Sequence, residues 1–290
     1  MIITKLIGGL GNQLFQYAVA RCLALKRNTE LKIDMSSFKE YTLRRYSLSH
    51  FNIIENIASE AEINLLKTET ATFLERLTSK VLRKPFLFQS DICERYHHYD
   101  PEIMKLPNNS YLDGYWQSEK YFQAIADIIR SDFTIKKEPD AINKEYAEKI
   151  TSSTSVSIHI RRGDYVENPS ASRIHGTCDL GYYCRSLEYI SSQITSPHFF
   201  IFSDDPEWAS SNLIIPYLST YVTHNDALNY VEDFRLMRLC KHHIIANSSF
   251  SWWGAWLCNN KDKIVIAPNK WFNVASRNTK DLIPDPWIRI

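Results

Sequence analysis

A histidine, two arginines and an aspartate follow one another at the end of an apolar alternation: His159, Arg161, Arg162 and Asp164. Residues 155–160 have the period-2 pattern of a buried β-strand, which places His159 and Arg161 on one face and starts Arg162 on the other. Arg161 and Arg162 are both candidate contacts with a bound nucleotide, because a guanidinium is a planar, permanently charged fork that suits phosphate. The structural alternative is an ion pair between Arg161 and Asp164 that only fixes a loop.

A second segment has the pattern strand, glycine-rich turn, helix. Residues 2–7 form the predicted strand, residues 8–13 the turn, and the helix follows from Leu14. Such a turn lets backbone N–H groups approach an anion at the start of a helix. The candidate contacts to a bound donor are Gly9, Gly11, Asn12 and Gln13.

This turn begins like a dinucleotide fingerprint but lacks the third glycine. Asp34 stands near the distance at which a ribose ligand would follow, which keeps an NAD-type alternative open. A loop that touches a diphosphate or a sugar fits the pattern better.

A third segment has a strand over 243–247, a hydroxyl-rich turn and a helix rich in tryptophan. Serines at the start of a helix satisfy its unpaired N–H groups or share them with a phosphate. The alternative is an ordinary capped helix that packs on its tryptophan face. The candidate residues are Ser248, Ser249, Phe250 and Ser251.

The chain resembles the bacterial inverting α-1,2-fucosyltransferases through four motifs that occur in the order of that family. These motifs are Gly8–Ala18, His159–Tyr165, Phe200–Asp205 and Asn247–Trp256. The His-x-Arg-Arg-x-Asp box is shared with α-1,6- and protein-O-fucosyltransferases, whereas the Ser-Phe-Ser-Trp-Trp-Gly-Ala-Trp run is much narrower.

The resemblance implies an α/β fold of two facing Rossmann-like domains, of the GT-B type, with the active cleft between them. It implies GDP-β-L-fucose as donor and a galactoside acceptor, attacked through its 2-hydroxyl in surface polysaccharide (O-antigen-like) or oligosaccharide synthesis. Residues 1–150 would mainly bind the acceptor, a galactose-ended oligosaccharide or lipid-linked glycan, and residues 151–290 the nucleotide. The alternatives are another linkage or another GDP-sugar, and a non-catalytic carbohydrate-binding protein.

The resemblance assigns Arg161 to the leaving β-phosphate, helped by His159 and by the serine turn. Asp164 either orients Arg161 or takes the proton of the acceptor, and Glu167 is a rival base. By analogy with related fucosyltransferases, Asp233 reads the edge of guanine; a solvated helix face is the alternative.

Ser203 and Asp204 end a further strand, where they either border the nucleotide or cap a helix that begins near Pro206. The chain contains no Asp-x-Asp, the usual short spacing for a metal-held diphosphate. We therefore expect no metal and no cofactor, and expect cationic side chains and helix N-termini to neutralise the leaving group.

The 290 residues carry a net charge of +1, which excludes a global basic field that would attract nucleic acid. The six cysteines show no Cys-x-x-Cys pairing and are typical of a reducing compartment. No signal peptide and no apolar run near the length of a membrane span is visible. We expect a bacterial cytoplasmic enzyme, with peripheral membrane association only through its acceptor.

From residue 155 strands and helices alternate, which predicts a parallel sheet covered by helices. The charged stretch 136–155 is interpreted as the linker between the domains. No topology is predicted for residues 36–110. The predicted strands are 155–160, 198–203, 220–223, 243–247 and 264–267, and the predicted helices lie near 179–194, from 206, over 227–240 and from the serine turn.

Overall fold

The computed structural model describes residues 1–39, 44–68, 90–274 and 277–290. The chain forms two compact units: Met1–Lys136 with Asn278–Leu282, and Lys137–Arg277 with Ile283–Ile290. The boundary therefore falls after Lys136, earlier than the predicted position near residue 150. The acceptor and nucleotide roles assigned to the two parts stay predictions.

In the described part of the first unit, a parallel sheet has the strand order β2-β1-β4-β3. Its strands are β1 (Ile2–Lys5), β2 (Leu31–Asp34), β3 (Asp91–Cys93) and β4 (Ser110–Asp113). The helices are α1 (Leu10–Arg27), α2 (Glu60–Thr68) and α3 (Ala126–Asp132).

Helix α1 is buried along most of its length, because apolar residues such as Leu14, Phe15 and Val19 lie on nearly all sides. It ends at Asn28, which adopts a left-handed conformation with φ of 47°. The helix begins at Leu10, four residues before the predicted start. Gly11, Asn12 and Gln13 therefore lie in its first turn and not in a loop.

The second unit contains, among its described residues, a six-stranded parallel sheet of order β10-β9-β8-β5-β6-β7. The strands are β5 (Thr154–Ile160), β6 (Pro197–Ser203), β7 (Ser219–Val222), β8 (His242–Ile244), β9 (Val265–Ala267) and β10 (Ile288–Arg289). The helices are α4 (Ala141–Ser152), α5 (Gly163–Glu167), α6 (Pro169–Ile174), α7 (Leu180–Gln193), α8 (Pro206–Asn212), α9 (Tyr230–Leu239) and α10 (Ser249–Leu257). The predicted α/β class and the predicted series of strands and helices are confirmed.

Strand β5 lies inside the sheet and is buried on both faces. Val156, Ile158 and Ile160 pack into one apolar cluster with Ile201 and Ile244 of the neighbouring strands. The opposite face of the sheet carries a second cluster, which includes Phe200 and Phe202 with Leu236 and Met237 of α9. Burial on both faces explains why these strands are almost continuously apolar.

The prediction of a linker over 136–155 is wrong for most of its length, because α4 occupies Ala141–Ser152. Asp140 caps this helix by accepting a hydrogen bond from the backbone N–H of Asn143 at 2.8 Å. Ile150 anchors it in the second apolar cluster. The exposed, charged face of the helix hid its apolar contact from the sequence pattern.

Candidate functional site

The three polar segments of the second unit meet at one edge of its sheet. Strand β5 lies between β6 and β8, and all three run parallel. Their carboxyl ends therefore deliver residues 161–164, 203–205 and 247–251 side by side. Ligands of open α/β sheets bind at this edge.

Arg161 is held by two carboxylates at this edge. One terminal nitrogen lies 2.8 Å from Asp204 Oδ2, and the other donates to Asp164 Oδ1. Burial works against the charge of Arg161, but Asp204 and Asp164 outweigh it and raise the pKa of the guanidinium. A guanidinium has five N–H donors, so these two contacts leave donors for a further anion.

Arg162 is bound into the local structure. Its Nε donates to Asp205 Oδ2 at 3.1 Å, and its guanidinium carbon lies 3.8 Å from the ring centroid of Trp208. Its backbone N–H donates to Asp204 Oδ1 at 2.8 Å. These contacts fix the turn after β5 and agree with the start of Arg162 on the face opposite Arg161.

The cap of helix α8 is Asp205, whose Oδ1 accepts from the backbone N–H of Trp208 at 3.1 Å. Ser203 Oγ accepts from the backbone N–H of Asp205 at 3.0 Å and so supports the cap. Asp204 does not cap the helix; its carboxylate accepts from the guanidinium of Arg161 and from the backbone N–H of Arg162. Of the two alternatives for Ser203 and Asp204, direct capping of α8 is therefore wrong, because the cap lies at Asp205. A contact of these two residues with the nucleotide stays a prediction.

His159 is buried, and its ring centroid lies 5.6 Å from that of Phe250. Burial, assisted by the charge of Arg161, lowers the pKa of His159 to about 3. Within the described chain its Nδ1 is buried without a hydrogen-bond partner. His159 is therefore neutral and adds no positive charge to that of Arg161.

Asp164 and Glu167, the two candidate bases, are placed differently. Asp164 lies in the first turn of α5 and accepts from Arg161. Glu167 ends the same helix and is exposed. The geometry brings Asp164 to the Arg161 cluster and leaves Glu167 outside it.

The serine turn forms a capped helix start, one of the two arrangements that the sequence left open; a phosphate contact there stays a prediction. Ser248 Oγ accepts from the backbone N–H of Phe250 at 3.4 Å, and Ser251 Oγ donates to the backbone oxygen of Ser248 at 3.3 Å. Ser249 is the first residue of α10 and is half-buried. The tryptophans of the helix, Trp252, Trp253 and Trp256, are buried, as expected for a packing face.

Asn247 is a residue whose role the sequence did not indicate. Its side-chain nitrogen lies 3.0 to 3.2 Å from the backbone oxygens of His175, Gly176 and Trp271, which share its two amide hydrogens. It thereby ties two loops to the carboxyl end of β8. His175 in turn stacks on Tyr165, with ring centroids 4.7 Å apart, so Asn247 also supports the segment that carries Asp164.

Asp233 lies in the first turn of α9, and its Oδ1 accepts from Asn225 Nδ2 at 2.8 Å. Burial raises the pKa of Asp233 to about 7; the Asn225 hydrogen bond lowers it, and the charge of Glu232 raises it. A half-buried carboxylate with one such donor is not the solvated helix face that the sequence left as an alternative.

In the first unit, the turn before α1 depends on Gly8, which has φ of +78° and lies so close to Asn12 that a Cβ would be 2.7 Å from its Nδ2. Gly9 is the N-cap residue, and Asn12 accepts from Gln117 Nε2 at 2.9 Å. Gln13 uses both amide hydrogens on the backbone oxygens of Gly8 and Arg45. Gln13 therefore holds a loop, and this geometry does not support its predicted contact with the sugar donor.

No group of three or more His, Cys, Asp or Glu side chains that could hold a metal ion occurs in residues 1–39, 44–68, 90–274 and 277–290. The adjacent aspartates Asp204 and Asp205 pair with Arg161 and Arg162. Over the same residues, no helix is long and apolar enough to span a bilayer.

The fold is similar to that of a solved glycosyltransferase, NodZ alpha-1,6-fucosyltransferase co-crystallized with GDP. The similarity covers 88% of this chain and 91% of that one, with a TM-score of 0.52 and 14% identity. At this identity it shows the fold alone. It supports the GT-B type of α/β fold that the sequence predicted.

Relatives along the whole chain include two proteins of Escherichia coli. The chain is 37% identical to an alpha-1,2-colitosyltransferase, with 100% of this chain and 99% of the relative covered. It is 34% identical to the O-antigen biosynthesis glycosyltransferase WbnK, with 98% and 99% covered. A mouse galactoside 2-alpha-L-fucosyltransferase, Sec1, is 23% identical over 100% of this chain and 74% of its own length.

The model of one family, glycosyl transferase family 11, matches residues 1–290. This match agrees with the whole-length relatives and with the charged site at the edge of the second sheet. The chain belongs to glycosyl transferase family 11.

Proposed function

We propose that this glycosyltransferase moves L-fucose from GDP-β-L-fucose to the 2-hydroxyl of a galactoside, with inversion, in surface polysaccharide synthesis. The observation that carries the proposal is Arg161, a permanent cation held by Asp164 and Asp204 at the carboxyl end of β5. The name of the mouse relative, a galactoside 2-alpha-L-fucosyltransferase, supports the sugar and the linkage.

Cleavage of the bond to GDP builds negative charge on the β-phosphate, and Arg161 is placed to stabilise that charge. A preorganised cation stabilises a developing anion because little reorganisation is needed during the reaction. Asp164 and Asp204 supply the preorganisation by fixing the guanidinium. The capped start of α10 contributes backbone N–H groups at the same sheet edge.

We assign Asp164 the orienting role, because it already accepts from Arg161. Glu167 remains the alternative base for the acceptor proton. A dissociative reaction, in which the bond to GDP breaks early, needs only a weak base. In either case the acceptor oxygen attacks C1 of the sugar, the C1–O bond to the β-phosphate breaks, and GDP leaves with the electron pair.

We further propose that this reaction needs no metal ion. Asp204 and Asp205, the acidic pair that could have held one, are engaged by the two arginines instead. The positive charge that a metal would supply is then supplied by Arg161.

A second candidate is transfer of colitose, the 3-deoxy analogue of fucose. The 37% identity to an alpha-1,2-colitosyltransferase over the whole chain favours it. The discriminating experiment offers GDP-fucose and GDP-colitose separately to the same acceptor and compares kcat/KM. A preference for GDP-colitose of tenfold or more would replace fucose by colitose in the proposal.

The acceptor is proposed to be a galactose-ended oligosaccharide or lipid-linked glycan that the first unit binds. The O-antigen relative supports this class of acceptor. Such an acceptor would bring a cytoplasmic enzyme to the inner face of the membrane. A panel of galactose-ended disaccharides with GDP-fucose tests the acceptor directly, and hydrolysis of the donor without acceptor separates an enzyme from a carbohydrate-binding protein.

A further inference from the structure

A continuous hydrogen-bond chain joins helix α4 to Asp233. Asp140 Oδ1 accepts from Asn143 Nδ2 at 3.0 Å, and Asn143 and Asn225 exchange two amide hydrogen bonds of 3.0 Å each. Asn225 Nδ2 then donates to Asp233 Oδ1 at 2.8 Å. The chain spans three elements: the start of α4, the loop after β7 and the first turn of α9.

The number of hydrogens on each side-chain amide fixes which group donates in each of these hydrogen bonds. Each amide nitrogen has two hydrogens. Those of Asn143 go to Asp140 and Asn225, and those of Asn225 go to Asn143 and Asp233. A flipped Asn225 would turn its oxygen towards the carboxylate of Asp233 and lose both donor contacts. Asn143 therefore forces Asn225 to act as a donor to Asp233.

His224 strengthens the same arrangement from the loop after β7. Its Nε2 lies 3.0 Å from Asn143 Oδ1, and that oxygen can only accept, so Nε2 carries the hydrogen. Asn143 is completely buried. All the polar atoms of its side chain thus have partners, as a buried amide requires.

The hydrogen-bond chain from Asp140 to Asp233 ends at the sheet edge that carries Arg161. Asn225 follows β7 by a short loop, and β7 is the second strand from β5, beyond β6. Two strand spacings amount to roughly 10 Å. An extended nucleoside diphosphate spans a distance of that order, so a β-phosphate at Arg161 would leave its base near Asp233.

Asp233 has an acceptor left for such a base. Among the described residues, its hydrogen bond from Asn225 uses Oδ1, which leaves Oδ2 as an acceptor, and the side chain is half-buried. Guanine presents two adjacent donors, N1–H and the 2-amino group, whereas adenine presents an acceptor at N1. A carboxylate pairs with the guanine edge and repels the N1 lone pair of adenine.

We infer that Asn225 and Asn143 are positioning residues that hold Asp233 as a guanine-selective acceptor. The inference rests on the proposed function, because a GDP-linked donor is what such a site would select. Helix α4, which the sequence suggested to be a linker, then contributes to donor choice through Asn143. Loss of the Asn225 contact would leave Asp233 freer to rotate and easier to protonate.

The test measures dissociation constants of GDP, IDP and ADP by calorimetry for the wild-type protein and for Asn225→Ala, Asn143→Ala and Asp233→Ala. We expect each variant to lose about tenfold to a hundredfold in GDP affinity and to change little in ADP affinity, as for loss of a hydrogen bond to a charged group. IDP lacks the 2-amino group, so it should lose less than GDP. The double variant Asn225→Ala/Asp233→Ala should bind GDP no more weakly than Asp233→Ala.

Asn260→Ala is the matched control, since it removes a similar amide hydrogen bond, to the backbone oxygen of Lys241 just before β8, at the opposite end of that strand. It should alter the melting temperature and leave the GDP-to-ADP ratio unchanged. If Asn143→Ala unfolds, Asn225→Ala decides alone, because Asn225 is half-buried in a loop.

A wild-type preference for GDP that persists in Asn225→Ala overturns the inference and leaves the proposed function intact. A wild-type protein that binds ADP as tightly as GDP overturns both. A wild-type protein that prefers GDP but transfers no fucose overturns the proposed reaction, while loss of the preference in Asn225→Ala would still support the inference.

Discussion

Gly163 packs directly against the Asp204 carboxylate. A Cβ at Gly163 would lie 2.5 Å from Asp204 Oδ2, the oxygen that pairs with Arg161. The glycine of the His-x-Arg-Arg-Gly-Asp run thus makes room for the ion pair that fixes the arginine. Glycine is needed here because the Asp204 carboxylate approaches the backbone closely, and not because the backbone adopts an unusual conformation.

Gly163→Ala should therefore displace Asp204 and loosen Arg161 without unfolding the protein. We expect kcat to fall about tenfold to a hundredfold, because a small misplacement of a catalytic group has effects of this size. Gly181→Ala is the matched control: Gly181 also lies in the first turn of a helix, and a Cβ there would lie 3.0 Å from Arg185 Nη1 and 3.2 Å from Asp179 Oδ1, which requires a smaller shift than at Gly163. Equal losses of kcat in the two variants would contradict this explanation.

Arg161→Ala should remove nearly all turnover, and Arg161→Lys should recover little, because lysine lacks the planar fork that reaches two carboxylates and a phosphate. Loss of a donor to a developing anion costs roughly a hundredfold to a thousandfold in rate. Both variants should stay folded, since Val156, Ile158 and Ile160 carry the burial of β5.

The measurement is kcat together with a thermal melt for each variant, compared with Arg162→Lys. Arg162 packs on Trp208 and pairs with Asp205, so its replacement should lower the melting temperature more and kcat less. An active Arg161→Lys enzyme would show that Arg161 serves only as the cation of a structural ion pair.

The sequence predicted the sheet edge of the second unit well, because β-strands buried on both faces leave a strong apolar signal. Strand parity placed Arg161 and Arg162 on opposite faces, and their guanidinium groups do pair with different aspartates. The supporting contacts were not predictable: Asp204 and Asn225 meet their partners across 42 and 82 residues of chain, and no local pattern reports such pairs.

Local patterns also misled where polar residues serve the fold. Gln13 looked like a ligand because it follows glycines at a helix start, but its amide holds a loop more than 30 residues away. Helix α4 looked like a linker because its exposed face is rich in charge. In both cases the deciding contact is made by a distant segment.

Asp233→Asn should separate stability from donor binding. Because burial raises the pKa of Asp233 from 3.8 to about 7, the folded protein holds a proton over a pH range in which the unfolded chain has lost it. The contribution of this group to stability is therefore largest at low pH and is lost as the pH rises through 7. The charge of Glu232 adds to the penalty, whereas the hydrogen bond from Asn225 reduces it. His224 and Asp140 contact Asn143, which is joined to Asp233 through Asn225.

We expect ligand-free Asp233→Asn to melt above the wild type at pH 8 and by a smaller margin at pH 5, because the unfolded wild type loses its proton from pH 3.8 upward. Its GDP affinity should be low and independent of pH, whereas that of the wild type should weaken as the pH falls below 7. Melting curves and GDP titrations at both pH values check this. A wild-type advantage in melting temperature at pH 8 would show that the carboxylate is not a stability cost.

Activity with GDP-fucose should survive excess EDTA, because Arg161 supplies the charge that a metal would otherwise supply. The assay compares initial rates with and without chelator, and then after addition of Mn²⁺ or Mg²⁺. Loss of most activity that either ion restores would refute this account of leaving-group stabilisation.

The product should carry an α-fucose on O2 of a β-galactoside, because an inverting reaction turns the β-linked donor into an α-linkage. An acceptor in which hydrogen replaces the galactose 2-hydroxyl should be inert, since it lacks the attacking oxygen. The matched 3-deoxy, 4-deoxy and 6-deoxy galactosides should retain measurable activity, which separates loss of the nucleophile from loss of a binding contact.

NMR of the product assigns the linked carbon and the anomeric configuration. A new bond at O3, O4 or O6, or a β-fucoside, would show that the proposed linkage or the inverting course is wrong while leaving the role of Arg161 at the phosphate open to the kinetic test.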